Sequence, residues 1–415
     1  MSASLVGSEM CIRDRVYTMP EFLERRYNPQ SRTILSVISL VSYVLTKVAV
    51  TVYAGGLVFQ QVFGIKELWG IDFFWIAAIG LVVLTALYTI FGGMKSVLYT
   101  SVLQTPILLL GSLIILVLGF KELGGWDEMM RVCGAVTVND YGDTMTNLIR
   151  SNDDANFPWL GALIGSAIIG FWYWCTDQFI VQRVLSGKNE KEARRGTIFG
   201  AYLKLLPVFL FLIPGMIAFA LHQKYIGAGG EGFLPMLENG TANADAAFPT
   251  LVAKLLPAGV KGLVVCGILA ALMSSLASLF NSSAMLFTID FYKRFRPQTS
   301  EKKLVGIGQV ATVVIVILGI LWIPIMRSVG DVLYTYLQDV QSVLAPCIAA
   351  AFLLGICWKR TSAQGGMWGL ISGMVIGLTR LGAKVYYSNA GEVADSTFKY
   401  LFYDICLLYT SPSPR

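Results

Sequence analysis

An apolar run over 257–289 contains the segment ALMSSLASLFN, and within that run Ser274, Ser275, Ser278, Asn281 and Ser282 fall inside nine positions. At helical spacing Ser274, Ser278 and Asn281 share one face, with Ser275 and Ser282 beside it. In a bilayer every unpartnered polar atom is costly, so that face must look at protein, an ion or a solute rather than at lipid. A plainer reading is also open: small residues let two helices approach closely, their hydroxyls bonded to carbonyls one turn earlier.

A bilayer is what the composition demands. The 415 residues are 55% hydrophobic and 14% charged, with a mean hydropathy of +0.64. Soluble domains carry about 25% charged residues. The net charge of +6 sits in short basic clusters between apolar runs, where it orients a membrane protein and does not mark a nucleic-acid surface. The seven cysteines form no CxxC pair, and His222 is the one histidine. No zinc site, disulfide framework or nucleophile and base pair can be read from them, which argues against an enzyme and against any bound cofactor.

The ends, 1–15 and 407–415, lack periodicity and resemble translated adapter sequence, so the natural protein is expected to extend past both. Between them, 16–406 reads as a single transmembrane domain with nine spans: 33–63, 73–91, 100–120, 158–181, 197–221, 257–289, 304–326, 333–357 and 366–386. The first is about 46 Å long as a helix and must tilt across a hydrocarbon core of about 30 Å. Its midpoint holds Thr46, Lys47 and Thr51. A mid-span lysine calls for a partner inside the bundle, the alternative being a solvated interfacial position. YTIFGGMKSV, between the second and third spans, reads as a compact reversal. The fourth span is interrupted by GFWYWCTDQ, which suits a discontinuous helix around a midplane site. The alternative there is an interfacial aromatic belt with Asp177 paired to Arg183. Basic residues in 182–196, 291–303 and 358–365 place those loops in the cytoplasm and the loops 121–157 and 222–256 outside.

Four blocks, FGGMKSVLYTSVLQT, WYWCTDQFIVQRVLSGKN, MSSLASLFNSSAMLFTIDFYK and IAAAFLLGICWKR, resemble the sodium:solute symporters, specifically their sodium/glucose cotransporter branch. The resemblance covers about 16–390, and the loop ANADAAFP, without a cysteine cluster, is similar to bacterial members. It implies an all-α polytopic membrane protein with the LeuT-like inverted-repeat transporter fold, here incomplete. The chain would begin after the second core helix and lack the first, which in the family supplies part of the sodium and sugar sites.

Carried over position by position, the resemblance implies that Ala271, through its carbonyl, and Ser274 and Ser275, through their hydroxyls, bind sodium. Tyr173 matches the inner aromatic gate on the sugar ring, with Trp174 beside it. Lys204 and Gln338 match hydrogen-bonding partners of sugar hydroxyls, and Ser278 and Asn281 line the same cavity. Lys47, Thr46, Asp177 and Ser101 stand as gating or coupling candidates. Two positions depart from the pattern: Ser101 replaces an aspartate common in relatives, and Gly170 replaces an Asn or Thr. The expected activity is sodium-coupled symport of a glucose- or galactose-like hexose by alternating access, with sodium, a sugar or polyol and the bilayer as partners and no obligatory protein partner. Its rivals are symport of myo-inositol, an amino acid, a nucleobase or an anion, and a membrane sensor or channel on the same scaffold.

Overall fold

Helix starts are set by side chains that accept from otherwise unpartnered N–H groups. The computed structural model describes residues 18–138, 142–151, 158–230, 232–237, 240–329 and 333–390; the adapter-like ends, 1–15 and 407–415, lie outside them. Thr18 accepts from Glu21 N and opens α1 (Met19–Arg26); Asn28 accepts from Ser31 N and opens α2 (Pro29–Ser42). α2 passes through a π-helical segment, Tyr43–Val48, into α3 (Ala49–Phe63), which stops at Gly64 in the left-handed region, φ 66°. A small hairpin, β1 (Glu67–Leu68) against β2 (Ile71–Asp72), turns the chain. Asp72 then accepts from Phe74 N and caps α4 (Phe73–Leu123), which is followed by the surface helix α5 (Trp126–Gly134).

The next apolar stretch is broken. α6 (Trp159–Phe171) runs into a π-helical segment, Trp172–Thr176, and Asp177 is extended (φ −79°, ψ 120°) before α7 (Gln178–Leu185) begins. The following helices are α8 (Glu190–Leu203), α9 (Ile213–Gly227) after a π-helical segment at Val208–Leu212, and α10 (Ala247–Leu255). α11 (Ala258–Met285) carries the serine face and ends in a π-helical segment, Leu286–Tyr292. α12 (Glu301–Val329), α13 (Leu333–Cys357) and α14 (Ala363–Ala390) complete the described chain.

Among the described residues, seven helical stretches are long and apolar enough to cross a membrane: Pro29–Phe63, Val97–Leu123, Trp159–Thr176, Glu190–Gly227, Ala258–Phe295, Glu301–Pro324 and Val340–Cys357. Phe73–Thr89 is a shorter apolar helix, and the expected span 366–386 lies on α14, whose side chains are only partly described. Helical hydrogen bonding continues through the YTIFGGMKSV stretch, but α4 is not one straight rod. Leu81 and Ser101 would stand about 30 Å apart on a straight helix. Yet Leu81 packs beside Leu272 against Gly55, and Ser101 bonds to Ser274. Both limbs of α4 therefore return to the same patch of α11.

Three buried clusters hold the helices. One joins Val48, Val52, Phe74, Leu81, Leu276 and Phe280; a second joins Phe22, Leu23, Trp172, Ala345 and Phe352; a third joins Ile115, Leu123, Met129, Leu221, Leu251 and Val264. α1 is clamped to the end of α13 by Arg26, whose guanidinium donates to the carbonyls of Gly355 (2.6 Å) and Trp358 (3.0 Å), and by Tyr27 OH, which donates to Ala351 O at 2.7 Å. α4 and α11 meet through glycine: Gly111 lies against Val264, and Gly267 against Ile107, each without room for a Cβ. Gly267→Leu is expected to destabilise the fold by about 1–3 kcal/mol and lower the melting temperature in detergent. Gly262→Leu, on the same helix with nothing within 4 Å of the added carbon, should leave it unchanged.

Candidate functional site

The serine face of α11 is buried in protein. Ser274 is 4% exposed, and Ser278 and Ser282 are fully buried. Ser274 Oγ and Ser101 Oγ share a hydrogen bond of 2.6 Å across the α4–α11 contact. Ser278 Oγ donates to the Ser274 carbonyl at 3.0 Å, and Ser282 Oγ lies 2.8 Å from both the Ser278 carbonyl and Gln182 Oε1. Asn281 Nδ2 donates to the Ala277 carbonyl at 3.0 Å. Bonds to carbonyls one turn back are what the plainer reading of these residues expects, but the bonds to Ser101 and Gln182 tie the face to other elements as well. Ser275 is half-buried, and its hydroxyl has no hydrogen-bond partner among the described residues. Ala271, Ser274 and Ser275 thus present neutral oxygens on one side of the helix, with no cluster of three or more His, Cys, Asp or Glu able to hold a metal ion among the described residues. A donor set of hydroxyls and a carbonyl suits a hard monovalent cation and does not suit zinc.

A second cluster surrounds Lys47. Its ammonium forms an ion pair with Asp177 and lies 4.8 Å from the ring centre of Tyr43, 4.8 Å from Phe179, 5.1 Å from Tyr173 and 5.7 Å from Trp172. Asp177 is 4% exposed; Tyr43 OH donates to its Oδ1 at 2.6 Å, and Phe179 N donates to the same oxygen at 3.1 Å. The pair has a local cause. The π-helical segments place Lys47 and the Trp172–Thr176 turn off regular helical register, and Asp177 serves at once as N-cap of α7 and as counter-ion. Lys47 therefore has its partner inside the bundle. Asp177 pairs with it and not with Arg183, which corrects the interfacial alternative: α7 turns Arg183 toward Ser278 instead.

Thr46 Oγ1 donates to the Ser42 carbonyl one turn back at 2.6 Å and takes no part in the pair. Tyr173 and Trp174 meet edge to face, with ring centres 5.3 Å apart, and Lys204 Nζ lies 5.0 Å from the Trp174 ring centre. Trp174 is 43% exposed and Tyr173 is half-buried, so these three line an accessible aromatic and cationic edge next to the buried pair. Gly170 leaves open space where a side chain would begin. Gln338 lies on α13, but its side chain is outside the described residues.

A third cluster was not anticipated. Asp290, 1% exposed in the last π-helical segment, accepts from Arg32 Nε (2.7 Å), Thr18 Oγ1 (3.0 Å) and Ser36 Oγ (3.1 Å). Arg32 also reaches Glu24 at 2.5 Å, and Gln178 Oε1 accepts from Met19 N at 2.8 Å. This network joins α1, α2, α7 and the end of the serine helix. The signal for it was an acid following the apolar run at Ile289 and an arginine opening the first span.

The model of the sodium:solute symporter family matches residues 2–373. Curated relatives include the human sodium/myo-inositol cotransporter 2, 38% identical over 382 residues, which cover 89% of this chain and 56% of the relative. A cattle sodium/mannose cotransporter is 38% identical over 388 residues, covering 89% and 63%, and the mouse sodium/glucose cotransporter 4 is 37% identical over 411 residues, covering 94% and 59%. The chain thus spans about three fifths of the length of the curated relatives it matches. A solved substrate-bound, outward-open structure of a Na+-coupled sialic acid symporter superposes with a TM-score of 0.65 at 21% identity, covering 90% of this chain and 82% of that one, which establishes the fold. The relatives are transporters, not enzymes, and the chain is a multi-pass membrane protein of their family.

Removing one member of the buried pair strands the other. Lys47→Met is expected to destabilise the protein by about 3–5 kcal/mol, because Asp177 is left buried without its counter-ion. Lys47→Met combined with Asp177→Asn should cost less than the sum of the single changes, measured by thermal unfolding of all three variants.

Proposed function

Because the chain belongs to the sodium:solute symporter family, we propose that it couples an inward sodium gradient to uptake of a neutral hexose or related polyol by alternating access. The observation that carries this reading is the buried serine face: in the middle of an apolar helix, Ser274 and Ser275 offer neutral hydroxyl oxygens, and no cluster of three or more His, Cys, Asp or Glu that could hold a divalent ion occurs among the described residues. Sodium there would be held by these two hydroxyls and the Ala271 carbonyl. Sodium shifts the balance of conformations only to the extent that it binds one of them better, so the ligands must be better assembled in the outward-facing state than in the inward-facing one.

The solute reading rests on Tyr173, Trp174 and Lys204. An aromatic face covers the C–H side of a sugar ring, and an ammonium donates to its hydroxyls. Gln338, Ser278 and Asn281 are assigned to the same cavity by position in the family pattern. The relatives are named for myo-inositol, mannose and glucose, all neutral polyhydroxyl solutes, which favours this class and makes myo-inositol the second reading. The buried Lys47–Asp177 pair sets the position of the Tyr173 segment, and Ser101 contributes to coupling through its bond to Ser274. We assign the basic loops 182–196, 291–303 and 358–365 to the cytoplasm and the loops 121–157 and 222–256 to the outside of the plasma membrane.

The test is uptake of labelled glucose, galactose and myo-inositol into proteoliposomes with an inward sodium gradient or with choline in its place. Accumulation is expected with sodium alone, for one or more of the three. Uptake indifferent to sodium contradicts the coupling. Ser274→Ala with Ser275→Ala should raise the sodium concentration needed for half-maximal uptake by about tenfold or more, with solute recognition recovered at high sodium.

A further inference from the structure

Arg183 is a cation without a carboxylate partner among the described residues. Its guanidinium lies 5.2 Å from the ring centre of Phe179, and both Nε (3.2 Å) and NH2 (2.6 Å) donate to a single acceptor, Ser278 Oγ. The hydroxyls of Tyr88 and Tyr173 are its electrostatic neighbours, and neither carries charge at neutral pH. From Ser278 the chain of bonds continues to the Ser274 carbonyl at 3.0 Å, and Ser274 Oγ is held by Ser101 Oγ at 2.6 Å. A fixed positive charge therefore stands two hydrogen bonds from the residue assigned to sodium, with two neutral serines between or beside them.

Two cations at such a separation repel unless an anion lies between them, and the low polarity of a membrane-spanning bundle strengthens the repulsion. Phe179 makes the consequence more than local, since its ring also lies 4.8 Å from Lys47, and α7 follows Tyr173 and Asp177 directly in the chain. Resting on the sodium reading above, we propose that Arg183 and sodium compete for the serine face of α11: sodium at Ser274 obliges Arg183 to withdraw from Ser278, and this withdrawal carries the occupancy of the cation site to the segment holding Tyr173. Arg183 is then a positioning residue of the coupling and not a sodium ligand. Its replacement should tighten sodium binding while weakening the link between sodium and solute.

The test is a sodium titration of the melting temperature of the purified protein, with choline chloride holding the ionic strength constant, for wild type, Arg183→Gln, Arg183→Lys and Arg183→Met. Gln keeps a donor for Ser278 without the charge, and its half-saturating sodium concentration is expected to fall about tenfold, while Lys stays near wild type. Arg183→Met, which removes both the charge and the donor to Ser278, should also fall, and carries the test if the Gln variant does not fold. A Gln value equal to or above wild type overturns the proposal and leaves the sodium site standing, as does a Lys value that falls as far as Gln. A wild-type protein whose melting temperature ignores sodium overturns the site reading itself, and this proposal with it.

Discussion

Taking charge out of water is the constraint on which this structure depends. Lys47 lies in the middle of one apolar span and Asp177, buried, directly follows another; each charge alone would be prohibitively costly there, and the protein compensates them at short range from every side. Asp177 receives the ammonium, the Tyr43 hydroxyl and the Phe179 amide, while four aromatic rings surround Lys47. Regular helix geometry does not deliver these groups to one point. Departures from it do: a π-helical segment around Lys47, another before Asp177, and an extended residue that restarts the chain as α7.

The same economy of buried charge holds one end of the bundle together. Asp290, also in a π-helical segment, is neutralised by Arg32 and joins α1 and α2 to the end of the serine helix. The serine helix thus carries three stations in order: glycine contacts with α4 at Gly267, the Ser274 to Ser282 face at its centre, and the Asp290 latch at its end. Elements that are rigid within themselves and joined by a few polar contacts can exchange between discrete packings, which alternating access requires. Arg26 and Tyr27, fastened to the carbonyls of α13, make α1 part of one such body.

Much of this was legible in the sequence, and the reasons for the rest are physical. Apolar length announced the spans, and a lysine at mid-span announced a buried partner. The partner's identity was less legible, because Asp177 is six residues from Arg183 and one turn geometry pairs them as readily as another. Only the break at Asp177 decides that Lys47 wins. The serine face could be read from spacing as polar, but its bonds to Ser101 and Gln182 come from elements distant in sequence, which spacing cannot reach. Asp290 is not legible because it follows the apolar run and looks like the start of a solvated loop, whereas the chain stays helical to Phe295. The bend of α4 was read as a reversal from its two glycines; helical hydrogen bonding nonetheless persists through it.

The central claim is that sodium on the serine face and solute at the Tyr173 edge belong to one linked equilibrium. Linkage is reciprocal, so its most direct measurement is solute binding by calorimetry on the purified protein, in sodium chloride and in choline chloride at equal ionic strength. The account predicts that the polyol which binds does so about tenfold more tightly in sodium, and that sodium binds more tightly by the same factor when that solute is present. Equal solute affinity in the two salts would contradict it.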